Sequence, residues 1–286
     1  MKTKSILLIA FVALLFFSLS LVTSCKKDSM NSSNPSTSSE DVNANADRFQ
    51  ESEGISSDVD VIADQATEMH GIDMRLNSAA DAFGILSCAT DSNDTINHVM
   101  VIDFGTGCTG HNGHVRSGQI IIHYNGSNYF TPGFQRIITF NNYYIDNRHV
   151  EGTRTITNDG FDADNHLKWT IHAQDMRITR PNGTYHEWNS DRVRLMLAGD
   201  STLTDPSDDI YSITGEHTVT NAAGKTRTST IIEALEKKVI CENIDKGKVK
   251  IQGPNHYAIL DYGDGTCDKI ATISIDGKDP RTILLR

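Results

Sequence analysis

HVMVIDFGTGC, residues 98–108, is the stretch that sets the reading of the chain, and it returns near the C-terminus as HYAILDYGDGTC, residues 256–267. In both, a short apolar run leads into Asp, an aromatic residue and Gly, then a second Gly and a cysteine. An apolar run of this length that stops at glycines is a strand entering a tight turn. A further cysteine precedes each copy, Cys88 and Cys241, and with Cys108 and Cys267 these are all the cysteines except Cys25.

Outward from these stretches the apolar period is two. Ile120, Ile122 and Tyr124 alternate with Gln119, Ile121 and His123. Arg136–Phe140 reads the same way. Val150, Gly152, Arg154 and Ile156 alternate with Glu151, Thr153, Thr155 and Thr157, which predicts a sheet with one solvated face. Trp169, Ile171 and Ala173 share a phase that slips by one at Met176 and Ile178, the mark of a β-bulge. Pro181-Asn182-Gly183 and Asp276-Gly277 are hairpin turns, and Asn158-Asp159-Gly160 and Asn221–Gly224 read as further turns. A second echo links Val150–Asn158 with Ile213–Asn221 through shared Gly, Thr and Asn positions. The fold class expected is all-β: an antiparallel meander forming a sandwich or open barrel, preceded by a short N-terminal helical segment.

The N-terminus gives an address. Lys2 and Lys4 precede an apolar run, Ile6–Leu21, that is short for a membrane span and ends in Leu21-Val22-Thr23-Ser24-Cys25. This order resembles the bacterial lipobox, which implies cleavage before Cys25 and acylation of that cysteine. Removing residues 1–24 takes away Lys2 and Lys4 and moves the formal charge from −11 to −13. A chain this acidic repels phosphate backbones, which argues against nucleic acid as a partner. Cys25-Lys26-Lys27-Asp28, the Ser/Asn-rich run behind it and the two Asp-aromatic-Gly segments resemble uncharacterised outer-membrane lipoproteins of Bacteroidota-type bacteria. That resemblance implies an outer-membrane lipid anchor, with the periplasmic and cell-surface faces both open, and no activity. Asp28-Ser29-Met30, Asp94-Thr95-Ile96 and Asp200-Ser201-Thr202 resemble the O-glycosylation acceptors of the same bacteria.

The domain plan expected is a signal peptide over 1–24, a disordered tether over 25–57, a helical segment over 58–87 and a β domain over 88–286 with two related disulfide-closed units. The tether rests on a polar composition with too little apolar surface to offset ordering entropy. The helix rests on a capping box at Ser57–Asp60 and on Val59, Ile62, Ala66, Met69, Leu76, Ala80 and Phe83 near one face, with Gly71 as a kink. An oxidising envelope pairs the four cysteines as disulfides. The internal echo selects Cys88 with Cys108 and Cys241 with Cys267 from the three pairings that four cysteines allow.

The chemistry-bearing motifs are sparse. No G-x-S-x-G, H-E-x-x-H or Walker loop is present, and Asp103-Phe104-Gly105 lacks every companion motif of a kinase. His111-x-x-His114 would need two further ligands to hold zinc; His98 and Cys108 are near in sequence, but Cys108 is better used in a disulfide. The Asp-rich turns around Gly160 (Asp159, Asp162, Asp164) and around Gly263 and Gly265 (Asp261, Asp264, Asp268) have oxygen-rich chemistry but not EF-hand spacing. No catalytic residue, metal ligand or cofactor is therefore assigned. Tyr143, Tyr144, Trp169, Tyr185 and Trp188 are candidate ligand-contact aromatics for a glycan or an envelope protein. The function expected is binding or scaffolding at the envelope, with the bilayer as partner through an acylated Cys25. The alternative is a polysaccharide hydrolase, for which Glu151, Glu187 and Asp191 are the carboxylates to inspect.

Overall fold

A computed structural model describes residues 35–71, 85–202 and 206–285. Helix α1 spans Pro35–Met69. Fourteen strands follow: β1 Thr90–Asp94, β2 Val99–Asp103, β3 Cys108–Thr109, β4 Val115–Tyr124, β5 Gln135–Ile145, β6 Arg148–Phe161, β7 Leu167–Thr179, β8 Tyr185–Ala198, β9 Ile210–Asn221, β10 Thr226–Lys238, β11 Lys246–Gln252, β12 Tyr257–Asp264, β13 Ile270–Ile275 and β14 Arg281–Leu284. They form one antiparallel meander in which each strand pairs with its sequence neighbours, except that β2 pairs with β4 and β3 lies off the path on β4. The sheet is open. Its edges are β14, four residues long, and β1, which carries Asp91 and Asp94; short and charged strands discourage edge-to-edge pairing.

The two faces differ as period two requires. The inner face packs on α1. It carries Ile120, Ile122, Ile138, Val150, Ile156, Trp169, Ile171, Trp188 and Val219 beside Val59, Ile62, Ala63 and Ala66 of the helix. A second apolar cluster joins Val42, Ala46 and Phe49 to Leu235, Val249, Ile251, Ala258, Leu260 and Ile273. The helix thus crosses the strands, its N-terminal half on β10–β13 and its C-terminal half on β2–β9. The outer face is polar, with Thr153, Thr155 and Thr157 on β6, Thr218 and Thr220 on β9, and Lys248 and Lys250 on β11.

Several expectations change here. Residues 35–57, expected within a disordered tether, are helical; residues 25–34 lie outside the described residues. Ser57–Asp60 lies inside the helix, and Gly71, with φ +69°, follows its last turn, where its N–H reaches the Glu68 carbonyl. Of the apolar positions expected on one face, Val59, Ile62 and Ala66 are buried, Met69 is half exposed, and Leu76, Ala80 and Phe83 lie outside the described residues. Asn158-Asp159-Gly160 is a bulge inside β6 rather than a turn; the β6–β7 turn is Asp162–Asn165. The bulge expected after Ala173 is present, and the turns at Asn182-Gly183 and Asp276-Gly277 fall where expected. The Gly shared by the second echo has a steric reason. At Gly152 a Cβ would lie 2.6 Å from the Met176 Cα, and at Gly215 it would lie 2.0 Å from the Asp191 carbonyl oxygen, both at positive φ.

Both expected disulfides are present, Cys88–Cys108 and Cys241–Cys267, with Cα–Cα distances of 5.6 and 5.4 Å. The two surrounding segments share local geometry. Asp103 Oδ1 accepts the Gly105 N–H at 2.7 Å, and Asp261 Oδ1 accepts the Gly263 N–H at 3.0 Å. The aromatic between each pair, Phe104 or Tyr262, is buried. Gly105, Gly107, Gly263 and Gly265 all have positive φ, as the sharp turn toward each cysteine demands.

Candidate functional site

The chemistry concentrated by the fold lies between α1 and the inner face. Ser52, Gly54, Ser56 and Ser57 are weak helix formers, so α1 takes its stability from packing rather than propensity. Its carboxylates meet arginines on strands. Asp41 takes Arg227 of β10 at 2.5 Å, and Glu53 takes Arg192 of β8 at 2.5 Å. Asp60 and Arg154 of β6 form a two-pronged pair, with Nε–Oδ1 at 2.6 Å and Nη2–Oδ2 at 2.7 Å. Asp64 takes Arg136 of β5 at 2.6 Å, Asp58 takes Arg116 of β4, and Glu51 is shared by Arg148 and Arg180.

These arginines sit in the apolar phase of their strands. Arg116, Arg136, Arg154, Arg192 and Arg194 are all buried. Isolated buried guanidinium is very costly, so each needs a partner. Arg194 takes a phenol and aromatic faces: Nη2 donates to Tyr129 Oη at 2.6 Å, and the guanidinium lies 5.0 Å from the Trp169 ring and 4.8 Å from the Tyr211 ring. Two histidines complete the polar interior. Burial would raise the Glu53 pKa, but Arg192 and the His217 hydrogen bond at 3.2 Å hold it at about 2. His217 is itself kept neutral by burial and by Arg192, and Phe49 of the helix packs 5.0 Å from its ring. His186 is pushed down to about 3 by burial, then by Arg180 and Arg48. Ser52 donates its hydroxyl to the Arg48 carbonyl, so its oxygen accepts from His186 Nε2–H at 3.0 Å. That leaves the His186 Nδ1 lone pair facing Arg180 Nη2 at 3.5 Å.

The outer face holds the remaining surface chemistry. Tyr144 of β5 is 38% exposed and stacks on His149 of β6, ring centroids 4.7 Å apart. Arg177 of β7 lies 3.8 Å over the Tyr185 ring at the start of β8. Registers Tyr144↔His149, His149↔Thr179 and Thr179↔Tyr185 place both tyrosines on one row across four strands. Strand spacing makes their separation about 14 Å.

The sequence candidates divide accordingly. Tyr143, Trp169 and Trp188 are core residues, so they cannot be surface contacts; Tyr144 and Tyr185 are outside. Cys25 lies outside the described residues. Glu151 and Glu187 both flank Arg177, and Asp191 is 82% exposed against His172 at 2.6 Å, so these carboxylates have counter-charges on an open face. His114 is committed to Asp146 at 2.6 Å. Asp162, Asp164 and His166 bring one ligand atom each to within 4.8 Å. Asp162 already accepts the backbone N–H groups of Asp164 and His166, which is turn chemistry. Asp261, Asp264 and Asp268 line an open groove of about 510 Å³ with Lys248, and each accepts a backbone N–H two residues on. Sequence reasoning missed the helix-to-arginine pairing. Its signal was present in Arg154, which falls in phase with Val150 and Ile156.

Searches for related proteins leave this geometry to stand by itself: no protein-family model, no curated protein and no solved structure matches the chain.

Proposed function

We propose that the chain is an envelope lipoprotein, anchored to the outer membrane through an acylated Cys25, whose β domain is a binding or scaffolding module. The address rests on the order of charge, apolar run, small residues and cysteine at the N-terminus, and on the resemblance to Bacteroidota-type lipoproteins. With α1 beginning at Pro35, only residues 26–34 separate the proposed lipid from folded structure.

The observation that carries the binding reading is the contrast between the faces. On the inner face the helix carboxylates pair with strand arginines, whereas the outer row from Tyr144 to Tyr185 presents two aromatic rings with His149, Glu151, Arg177 and Glu187 between or beside them. Rings set about 14 Å apart on a polar sheet suit an extended glycan, with ring stacking at each end and hydrogen bonding between. Glycan-array binding is the test. Binding lost in Tyr144→Ala and Tyr185→Ala but kept in Trp188→Phe supports the reading; binding unaffected by both tyrosine changes contradicts it. Cys25→Ala is expected to release the protein from membranes, and a variant still membrane-bound without detergent contradicts the anchor.

A further inference from the structure

The loop from β10 to β11 is tied down on several sides. Cys241 within it is joined to Cys267. Lys237 Nζ donates to the carbonyls of Cys241, Glu242 and Asn243, and burial lowers its pKa to about 8. The next residue, Lys238, turns to the other side. Its Nζ donates to the Gly265 carbonyl at 2.5 Å, lies 3.5 Å from Asp245 Oδ2 and lies 3.7 Å from Glu236 Oε1.

Asp245 is the unusual member of this group. Its side chain is 1% exposed, and neither carboxylate oxygen makes a hydrogen bond of ordinary geometry. Its backbone is held on both sides: its N–H donates to the Glu236 carbonyl at 3.1 Å, and its carbonyl accepts from Gly265 N–H at 2.9 Å. A buried carboxylate whose polar contacts, with Lys238, fall short of ordinary hydrogen-bond geometry is a poor resting state for an ion pair. The fold also holds the amine against the carboxyl it would attack, with Lys238 Nζ 3.5 Å from Asp245 Oδ2. Burial pushes the Asp245 carboxyl up against the pull of Lys238, and Glu236 pushes in the same direction. A raised carboxyl pKa favours the protonated acid, the form whose hydroxyl can leave.

We propose that Lys238 and Asp245 join in a spontaneous intramolecular isopeptide bond, with Glu236 carrying the proton. The Lys238 Nζ lone pair forms a bond to Asp245 Cγ, giving a tetrahedral intermediate. Glu236 takes a proton from the nitrogen and returns it to the departing oxygen. The Cγ–OH bond breaks and one water leaves, so an amine and a carboxylic acid become an amide and water with no change of oxidation state. Lys238 and Glu236 are 27% and 23% exposed, which gives that water a way out. The product is a second covalent brace beside Cys241–Cys267. It is independent of the anchor and of any outer-face ligand.

Intact mass of the purified full chain with both disulfides formed is the test. The expected result is a chain one water lighter than the same chain, carrying the same N-terminal processing and two disulfides, without the crosslink. After reduction and trypsin, the expected product is a single looped peptide, Lys238–Lys246, closed between the Lys238 and Asp245 side chains and one water lighter than its sequence, with no cleavage after Lys238. The unshifted mass with normal cleavage after Lys238 overturns the proposal. So does a one-water loss that maps to a succinimide at Asp245-Lys246. Glu236→Gln, checked for both disulfides, is expected to abolish or greatly slow the shift; crosslinking as fast as in the parent removes Glu236 from the step.

Discussion

Asp60→Ala tests the arithmetic of the buried interface. The substitution leaves the Arg154 guanidinium, 6% exposed, without its two-pronged acceptor. Removing one partner of a buried pair costs about 3–5 kcal/mol, and the 15% exposure of Asp60 places this case at the low end, about 3 kcal/mol. For a domain of this size that is a fall in Tm of about 6–12 °C. The double variant Asp60→Leu with Arg154→Met removes both charges and is expected within about 1 kcal/mol of the parent. Asp191→Ala, at an 82% exposed carboxylate paired with His172, is the surface control and is expected to cost below about 1 kcal/mol. The assay is urea unfolding followed by tryptophan fluorescence. It reports the interior directly, since both tryptophans, Trp169 and Trp188, are buried. An Asp60→Ala cost no larger than that of Asp191→Ala, or a double variant as unstable as the sum of the singles, would refute the claim that these pairs carry buried charge.

Acid should loosen the same interface. His186 is neutral in the fold, with its pKa at about 3 against 6.5 free, so its contribution is complete above pH 6.5 and drains as pH falls toward 3. Glu53, held at about 2 against 4.5, adds a second loss only below pH 4.5. Stability measured by urea at stepped pH is therefore expected to decline from pH 6.5, by up to about 1.4 kcal/mol per unit for each titrating group. A curve flat to pH 4.5 contradicts the His186 assignment. Reducing the disulfides should remove roughly 3 kcal/mol for each loop, read as the shift in urea midpoint between oxidised and reduced protein; no shift contradicts it. Gly215→Ala should be strongly destabilising because its Cβ would overlap the Asp191 carbonyl, whereas Gly224→Ala, with nothing within 4 Å, meets only the backbone penalty of positive φ; equal thermal shifts contradict this. If the Asp94-Thr95-Ile96 acceptor is used, native protein will carry glycan mass on Thr95, in an exposed turn; an unmodified peptide there ends the idea.

The sheet was legible because period two is robust. β6 and β9 announce an apolar and a polar face, and the slip between Ala173 and Met176 announces its bulge. The disulfides were legible because the two glycine-rich copies repeat a local geometry, down to the Asx turns at Asp103 and Asp261. The helix was not. Residues 35–57 are polar enough to look disordered, since Asp41, Glu51 and Glu53 count against burial when their partners are unseen. Their partners lie far away in sequence: Glu53 meets Arg192 and Asp41 meets Arg227, so a local reading scores each charge as solvated. The apolar spacing of Val42, Ala46, Phe49 and Ile55 was weak but present, and buried arginines in the apolar phase of β5, β6 and β8 were its complement. Among the surface candidates, aromatic content could not separate Tyr143 from Tyr144. Only their opposite strand phases do, one ring in the core and the next outside.

Hydrogen exchange across residues 41–57 tests the central claim, that this acidic segment is part of the folded domain rather than a tether. Helix amides bonded within α1 and pinned to β8, β9 and β10 should open only with the sheet, so their protection at neutral pH should match that of β6–β9 and should fall with theirs in Arg192→Ala. Exchange over 41–57 at the rate of an unstructured chain, while β6–β9 stay protected, would contradict it.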